Sequence, residues 1–195
     1  MTPDTFSATD IANFLACQHL TILDQREAAG ELKRPYFPDP SLDLLRQLGG
    51  VHEQKFLAGL RAGGTPTIVE VPTTIRASEA AAQTLDALRR GVDVIYQPVF
   101  LDLPWKGRAD FLTRVDRPSF LGSWSYEVVE AKLARSTKAR ALIQLCFYSE
   151  LLSKIQGIEP QWMHVALGGG KGQETFQAQR YLAYFRKVKH ELEEA

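Results

Sequence analysis

Three charged side chains, Asp110, Glu130 and Lys132, stand at spacings that suit metal-assisted hydrolysis. Asp110 belongs to the run Gly107-Arg108-Ala109-Asp110-Phe111-Leu112. Glu130 and Lys132 close the run Tyr126-Glu127-Val128-Val129-Glu130-Ala131-Lys132. The two apolar-rich runs flank Asp116-Arg117-Pro118-Ser119, which reads as the turn region of an antiparallel hairpin. With its midpoint near Phe120, the hairpin sets Asp110 opposite Glu130, give or take one register step. Side chains alternate faces along a strand, so Glu130 and Lys132 share a face and Glu127 points the other way. Two carboxylates set among Val, Leu and Phe offer the oxygen ligands that a hard divalent cation takes. A lysine beside them can orient water or offset charge on a phosphate.

The ordinary alternative is a cross-strand ion pair on a wet sheet face. Gln144 and Tyr148 weigh against it, because they lie four apart on the following helix and share one of its faces. Asp110, the Glu130-Ala131-Lys132 triplet and the Gln-x-x-x-Tyr pair together resemble the PD-(D/E)XK nucleases of the RecB-like branch. The lines Gly107-Arg108-Ala109-Asp110-Phe111-Leu112, Glu130-Ala131-Lys132-Leu133-Ala134 and Gln144-Leu145-Cys146-Phe147-Tyr148-Ser149-Glu150 are similar to a bacterial subgroup of RecB-family nucleases. That subgroup is related to the CRISPR adaptation exonucleases. The resemblance covers nearly the whole chain. It rests on the assembled motif, since no single piece is specific.

The resemblance implies an α/β, restriction-endonuclease-like core, with a mixed central sheet flanked by helices and a helical N-terminal region. It implies one nuclease domain over 1–195, with a helical part over 1–64 and the catalytic core over 65–195. Asp110 and Glu130 would hold one or two Mg2+ or Mn2+ ions, with His52 and the Ala131 carbonyl completing the site. Lys132 would position water or stabilise the phosphate, and Gln144 and Tyr148 would orient the site or meet the nucleic acid backbone. The expected activity is metal-dependent hydrolysis of DNA, with single strands or free ends as substrates, in repair, recombination or processing. A catalytically silent binding module of the same fold is the rival, and a small-molecule metalloenzyme a third option. The relatives that carry an iron–sulfur cluster use a cysteine at the place of Cys17 and three more after the nuclease core. A 4Fe–4S cluster is thus expected only if the natural chain continues with further cysteines. The uncapped final helix leads us to expect a longer protein, with a C-terminal domain or a helicase partner.

The elements that must position these groups follow from periodicity and punctuation. Ser7 with Asp10 reads as a helix-start box. Ile11, Phe14, Leu15, Leu20 and Leu23 form an apolar stripe expected to run to about Ala29 and stop at Gly30. Asp39-Pro40-Ser41 restarts a helix to about Ala62, with a bend expected at Gly49-Gly50. His52 and Glu53 follow; Glu53 reads as a solvent or capping group. A strand over 67–71 precedes a helix over 79–90, capped by Ser78 and closed by Gly91. Residues 92–96 and 99–101 read as a further strand around Pro98. Ser136-Thr137 caps a helix over 138–154, a strand covers 162–167, and another returns over 173–179 before a helix over 181–194. Gly168-Gly169-Gly170-Lys171-Gly172 lacks the Walker frame and reads as a hairpin loop.

Composition limits the partners. The chain has 195 residues, 45% of them hydrophobic, with 23 Lys plus Arg against 23 Asp plus Glu. A net charge of zero argues against a wholly electrostatic DNA coat but leaves room for a local basic channel. Arg108, Arg135, Lys138 and Arg140 are candidate phosphate contacts. Trp105 and Trp124 are candidates for stacking on the bases of a single strand, although such residues more often pack in a core or against a hairpin. No apolar run is long enough for a membrane span, and residues 1–10 lack the features of a secretory signal. Cys17 and Cys146 make no disulfide framework, so a reducing cytoplasm is expected.

Overall fold

The computed structural model describes residues 5–35 and 37–195. Helix α1 (Ala8–Ala16) starts from the expected box. The Ser7 hydroxyl caps Thr9 N, and the Asp10 carboxylate accepts from Ser7 N at 2.6 Å. The helix does not run on to Ala29. Cys17 takes extended angles (φ −165°, ψ 109°), and a separate helix α2 (Gln18–Ala28) follows. Helix α3 (Pro40–Ala62) is capped by Asp39 and runs unbroken through Gly49-Gly50 over the expected span. A glycine pair weakens a helix, but propensity yields to the packing of α3's second half on the sheet.

Strand β1 (Ile68–Glu70) leads to α4 (Ala77–Arg90). Arg76, not Ser78, is the residue before that helix, and Gly91 closes it in the left-handed conformation at φ 67°. The expected strand around Pro98 divides into β2 (Val94–Tyr96) and β3 (Val99–Asp102), which belong to different sheets. The cause is Gln97, which adopts φ 57° and turns the chain out of the main sheet. Strand β4 (Trp105–Arg108) pairs with β3 in a small hairpin. Then come β5 (Phe111–Val115), β6 (Ser125–Lys132), α5 (Ala139–Gln156), β7 (Trp162–Leu167), β8 (Gln173–Gln177) and α6 (Gln179–Glu193). Lys138 occupies the cap position of α5 without a side-chain hydrogen bond, so the Ser136-Thr137 cap does not form.

The main sheet is mixed and six-stranded, in the order β1-β2-β5-β6-β7-β8. The β1–β2 and β6–β7 pairs are parallel and the others antiparallel. The chain is therefore α/β, with helices on both sheet faces. One face packs Leu112, Tyr126, Val128, Met163 and Val165 against residues of α1, α4, α5 and α6. The other packs Val94, Phe111, Val129 and Ala166 against Leu57 of α3, with Phe56 and Leu60 alongside. Burying both faces explains why β6 reads as a nearly continuous apolar run. Among the described residues no helix is long and apolar enough to cross a membrane.

Candidate active site

The hairpin pairs Phe111 with Val129 and Leu112 with Val128. Continued by one residue, that register sets Asp110 opposite Glu130, as the symmetric reading about Phe120 requires. Asp110 lies just ahead of β5, and its Oδ2 accepts from Ala131 N at 2.8 Å. Ala131 thus engages the site through its N–H. Glu130 faces the α5 side and is buried. Lys132, two residues on and on the same face, reaches back so that its Nζ lies 2.7 Å from Glu130 Oε2. The other Glu130 oxygen, Oε1, is buried without a hydrogen-bond partner. An unpaired buried carboxylate oxygen is costly, and this one lies beside a second acid.

The electrostatics follow from burial. Desolvation raises the Asp110 carboxyl well above its usual range, the charges of Glu130 and Glu53 push it further, and Lys132 opposes them. Burial likewise raises Glu130, again against Lys132. Burial alone would lower the Lys132 ammonium, but Glu130 and then Asp110 outweigh it and hold it above its ordinary value. Lys132 therefore stays cationic. Tyr148, on the buried face of α5, is raised by burial and then by Glu130 and Asp110, so it stays a protonated O–H donor. Gly107 permits this approach, since a Cβ there would stand 2.7 Å from Tyr148 Cε1 and 2.8 Å from Phe147 Cε1. Gln144 lies one turn earlier on α5 and lines a groove of about 350 Å3 with Lys132, Ser136, Lys138 and Arg140.

Glu53, expected as a solvent or capping group, instead lies near the Asp110–Glu130 pair. Its charge bears on Asp110, Glu130 and Lys132 alike, and its Oε1 accepts from Gln97 Nε2. His52, one residue earlier, instead sets Nε2 3.0 Å from the Ala166 carbonyl and lines an apolar groove of about 610 Å3 with Leu48, Val51 and Leu133. Successive helix residues point about 100° apart, so His52 and Glu53 look in different directions. A signal for Glu53 was present: with Phe56, Leu57 and Leu60 it forms an i, i+3, i+4, i+7 stripe, the face that α3 buries.

One other expectation, for Arg108, needs correction. Arg108 is not free for phosphate. Its Nη1 donates to the carbonyls of Gln97 (2.8 Å) and Val71 (3.2 Å), and its Nη2 to that of Pro72 (3.3 Å). Trp105 is buried and donates Nε1–H to Glu193 at 2.8 Å. Trp124 donates to the Leu88 carbonyl at 3.1 Å and lies under Arg114. Both indoles are packing groups rather than base platforms. Lys138 and Arg140 line the groove beside Lys132 and are exposed, and Arg135 is exposed as well. Cys17 is exposed at the break between α1 and α2. Cys146 is buried 4.0 Å from Met163 Sδ, and burial pushes its thiol up to about 12.

Among the described residues, no three His, Cys, Asp or Glu side chains already stand close enough to hold an ion. Lys132 takes one Glu130 oxygen and leaves Oε1 of Glu130 without a partner beside the Asp110 carboxylate, and the Glu53 charge acts on both acids. No protein-family model and no curated protein matches the chain.

Proposed function

We propose that the chain is a divalent-metal-dependent nuclease that hydrolyses phosphodiester bonds in DNA, with the restriction-endonuclease-like PD-(D/E)XK arrangement as its core. The observation that carries the reading is the buried Asp110–Glu130 pair, with Glu130 Oε1 bare and Lys132 tied to the opposite oxygen. Asp110, Glu130 and Glu53 would hold Mg2+ or Mn2+. Such an ion supplies Lewis-acid polarisation of the phosphate and a lower pKa for water.

The protein's own groups do the rest. Glu130 holds the Lys132 ammonium at the sheet end, where it offsets charge developing on phosphate oxygens or orients the attacking water. The Ala131 N–H fixes one Asp110 oxygen, so the carboxylate is pre-set and leaves the other oxygen for a ligand. Tyr148 and Gln144 present donors from consecutive turns of α5. Lys138 and Arg140 line the same groove as Lys132, where they would meet the phosphates that lead to the scissile bond.

Cleavage of single-stranded and plasmid DNA in Mn2+, with EDTA as the control, tests the reading. The parent chain is expected to cut and Asp110→Asn to be inert. DNA and Mn2+ binding without any cleavage would identify a silent member of the fold instead.

A further inference from the structure

Tyr96 and Gln97 are neighbours at the end of β2, and regular strand geometry would send their side chains to opposite faces. They do not separate. Tyr96 packs on the α3 face, its ring 5.0 Å from that of Phe111, and its hydroxyl accepts from Gln54 of α3 at 2.8 Å. Gln97 has φ 57°, and it is the only described non-glycine residue with positive φ. That left-handed backbone breaks the alternation and turns the Gln97 amide toward the same helix, where Nε2 donates to Glu53.

The backbone of Gln97 is fixed on both sides. Its N–H donates to the Asp110 carbonyl at 2.8 Å, and its carbonyl accepts from Arg108 at 2.8 Å. One residue thus links the Asp110 main chain, β2 and the Glu53 carboxylate of α3. A left-handed glutamine is a costly conformation that persists only where its surroundings over-determine it. Glycine would meet the backbone need without strain, so the backbone alone does not account for a glutamine here.

We propose that Gln97 is a positioning residue that holds the Glu53 carboxylate at the cation-binding end of the sheet, using its left-handed backbone to aim its amide and its N–H to tie that amide to Asp110. The proposal rests on the metal-binding reading of the site. It gives Gln97 a role in metal affinity rather than in folding.

The test is Mn2+ titration calorimetry, with thermal unfolding in EDTA, on the parent, Gln97→Gly, Glu53→Gln and the double variant. Gln97→Gly keeps the left-handed backbone and removes the amide. It is expected to weaken Mn2+ binding by about 10- to 100-fold, as loss of a partner that orients a ligand does, with an unfolding temperature equal to or above the parent's. The double variant is expected to bind no more weakly than Glu53→Gln, because both changes remove one interaction. Parent-like Mn2+ affinity in Gln97→Gly, or losses that add in the double variant, would overturn the role of Gln97 and leave the nuclease reading standing. A parent that binds no Mn2+ overturns both. Should the glycine variant not fold, Gln97→Asn carries the same comparison, since asparagine tolerates the left-handed backbone and its amide falls one methylene short.

Discussion

Replacing Lys132 by methionine should expose how much of the site's order depends on one ammonium. Lys132 Nζ lies 2.7 Å from Glu130 Oε2, and the Glu130 side chain is only 3% exposed against 31% for Lys132. At an effective dielectric of about 20, such a contact has a gross attraction of about 6 kcal/mol. Much of this repays the desolvation of Glu130. Removing one partner of a buried pair costs about 3–5 kcal/mol, because the other charge is left uncompensated. Since water reaches Lys132, the lower end applies, about 3 kcal/mol, or a fall in unfolding temperature of about 6–12 °C for a chain of this size. Burial already holds Glu130 above its ordinary value, and the charge that opposes this is Lys132. Without Lys132 the folded-state value moves further above the unfolded one. A carboxyl shifted that way favours the fold below its unfolded value, and this contribution is lost as pH rises through the folded value. The deficit of Lys132→Met should therefore be larger at pH 8 than at pH 5, since acidification favours protonation of Glu130. Thermal unfolding in EDTA at the two pH values measures it, and Glu130→Gln/Lys132→Met should recover most of the loss. A deficit under about 1 kcal/mol with no pH dependence, or a double variant no better than the single one, would refute the buried pair.

The other predictions address separate parts of the site. Asp110→Asn should abolish cleavage yet raise the metal-free unfolding temperature at pH 8, since it removes a buried charge held among Glu130 and Glu53; unchanged cleavage rates would remove Asp110 from the chemistry. Lys132→Ala should leave Mn2+ affinity nearly intact while single-turnover cleavage slows by orders of magnitude, about 100-fold or more if the ammonium stabilises the transition state. Equal losses of binding and rate would make the lysine structural. Lys138→Ala and Arg140→Ala should weaken DNA binding and each reduce the salt slope by about 0.7–0.9, whereas Arg108→Ala, whose guanidinium is taken up by three carbonyls, should lower stability by about 1–3 kcal/mol without changing that slope. The 195-residue chain should purify without iron, because Cys146 is buried with its thiol pushed up to about 12 and only Cys17 is exposed. Stoichiometric iron with absorbance near 400 nm, roughly where such clusters absorb, would contradict this.

The hairpin is legible in the residues, and its symmetry about Phe120 places Asp110 opposite Glu130 to within one register step. Both faces of β6 are buried, so its near-continuous apolar run does not choose between neighbouring registers, and the pairing of Phe111 with Val129 in the folded sheet does. Alternation along one strand puts Lys132 on the face of Glu130. Most individual helices and strands were legible because each element's apolar pattern is written in its own residues, whereas the mixed sheet flanked by helices was expected from the resemblance alone. Contacts between distant segments were not legible. Arg108 looks like any surface base until the carbonyls of Val71, Pro72 and Gln97 come round to meet it. That Trp105 and Trp124 are packed is the ordinary expectation, but their acceptors on α6 and α4 are set only by the fold. The rotation of α3 decides between His52 and Glu53, and it depends on how Phe56, Leu57 and Leu60 settle on the sheet. Gln97 follows the same logic: no local preference puts a glutamine at φ 57°, and only the hydrogen bonds it shares with Asp110, Arg108 and Glu53 hold it there.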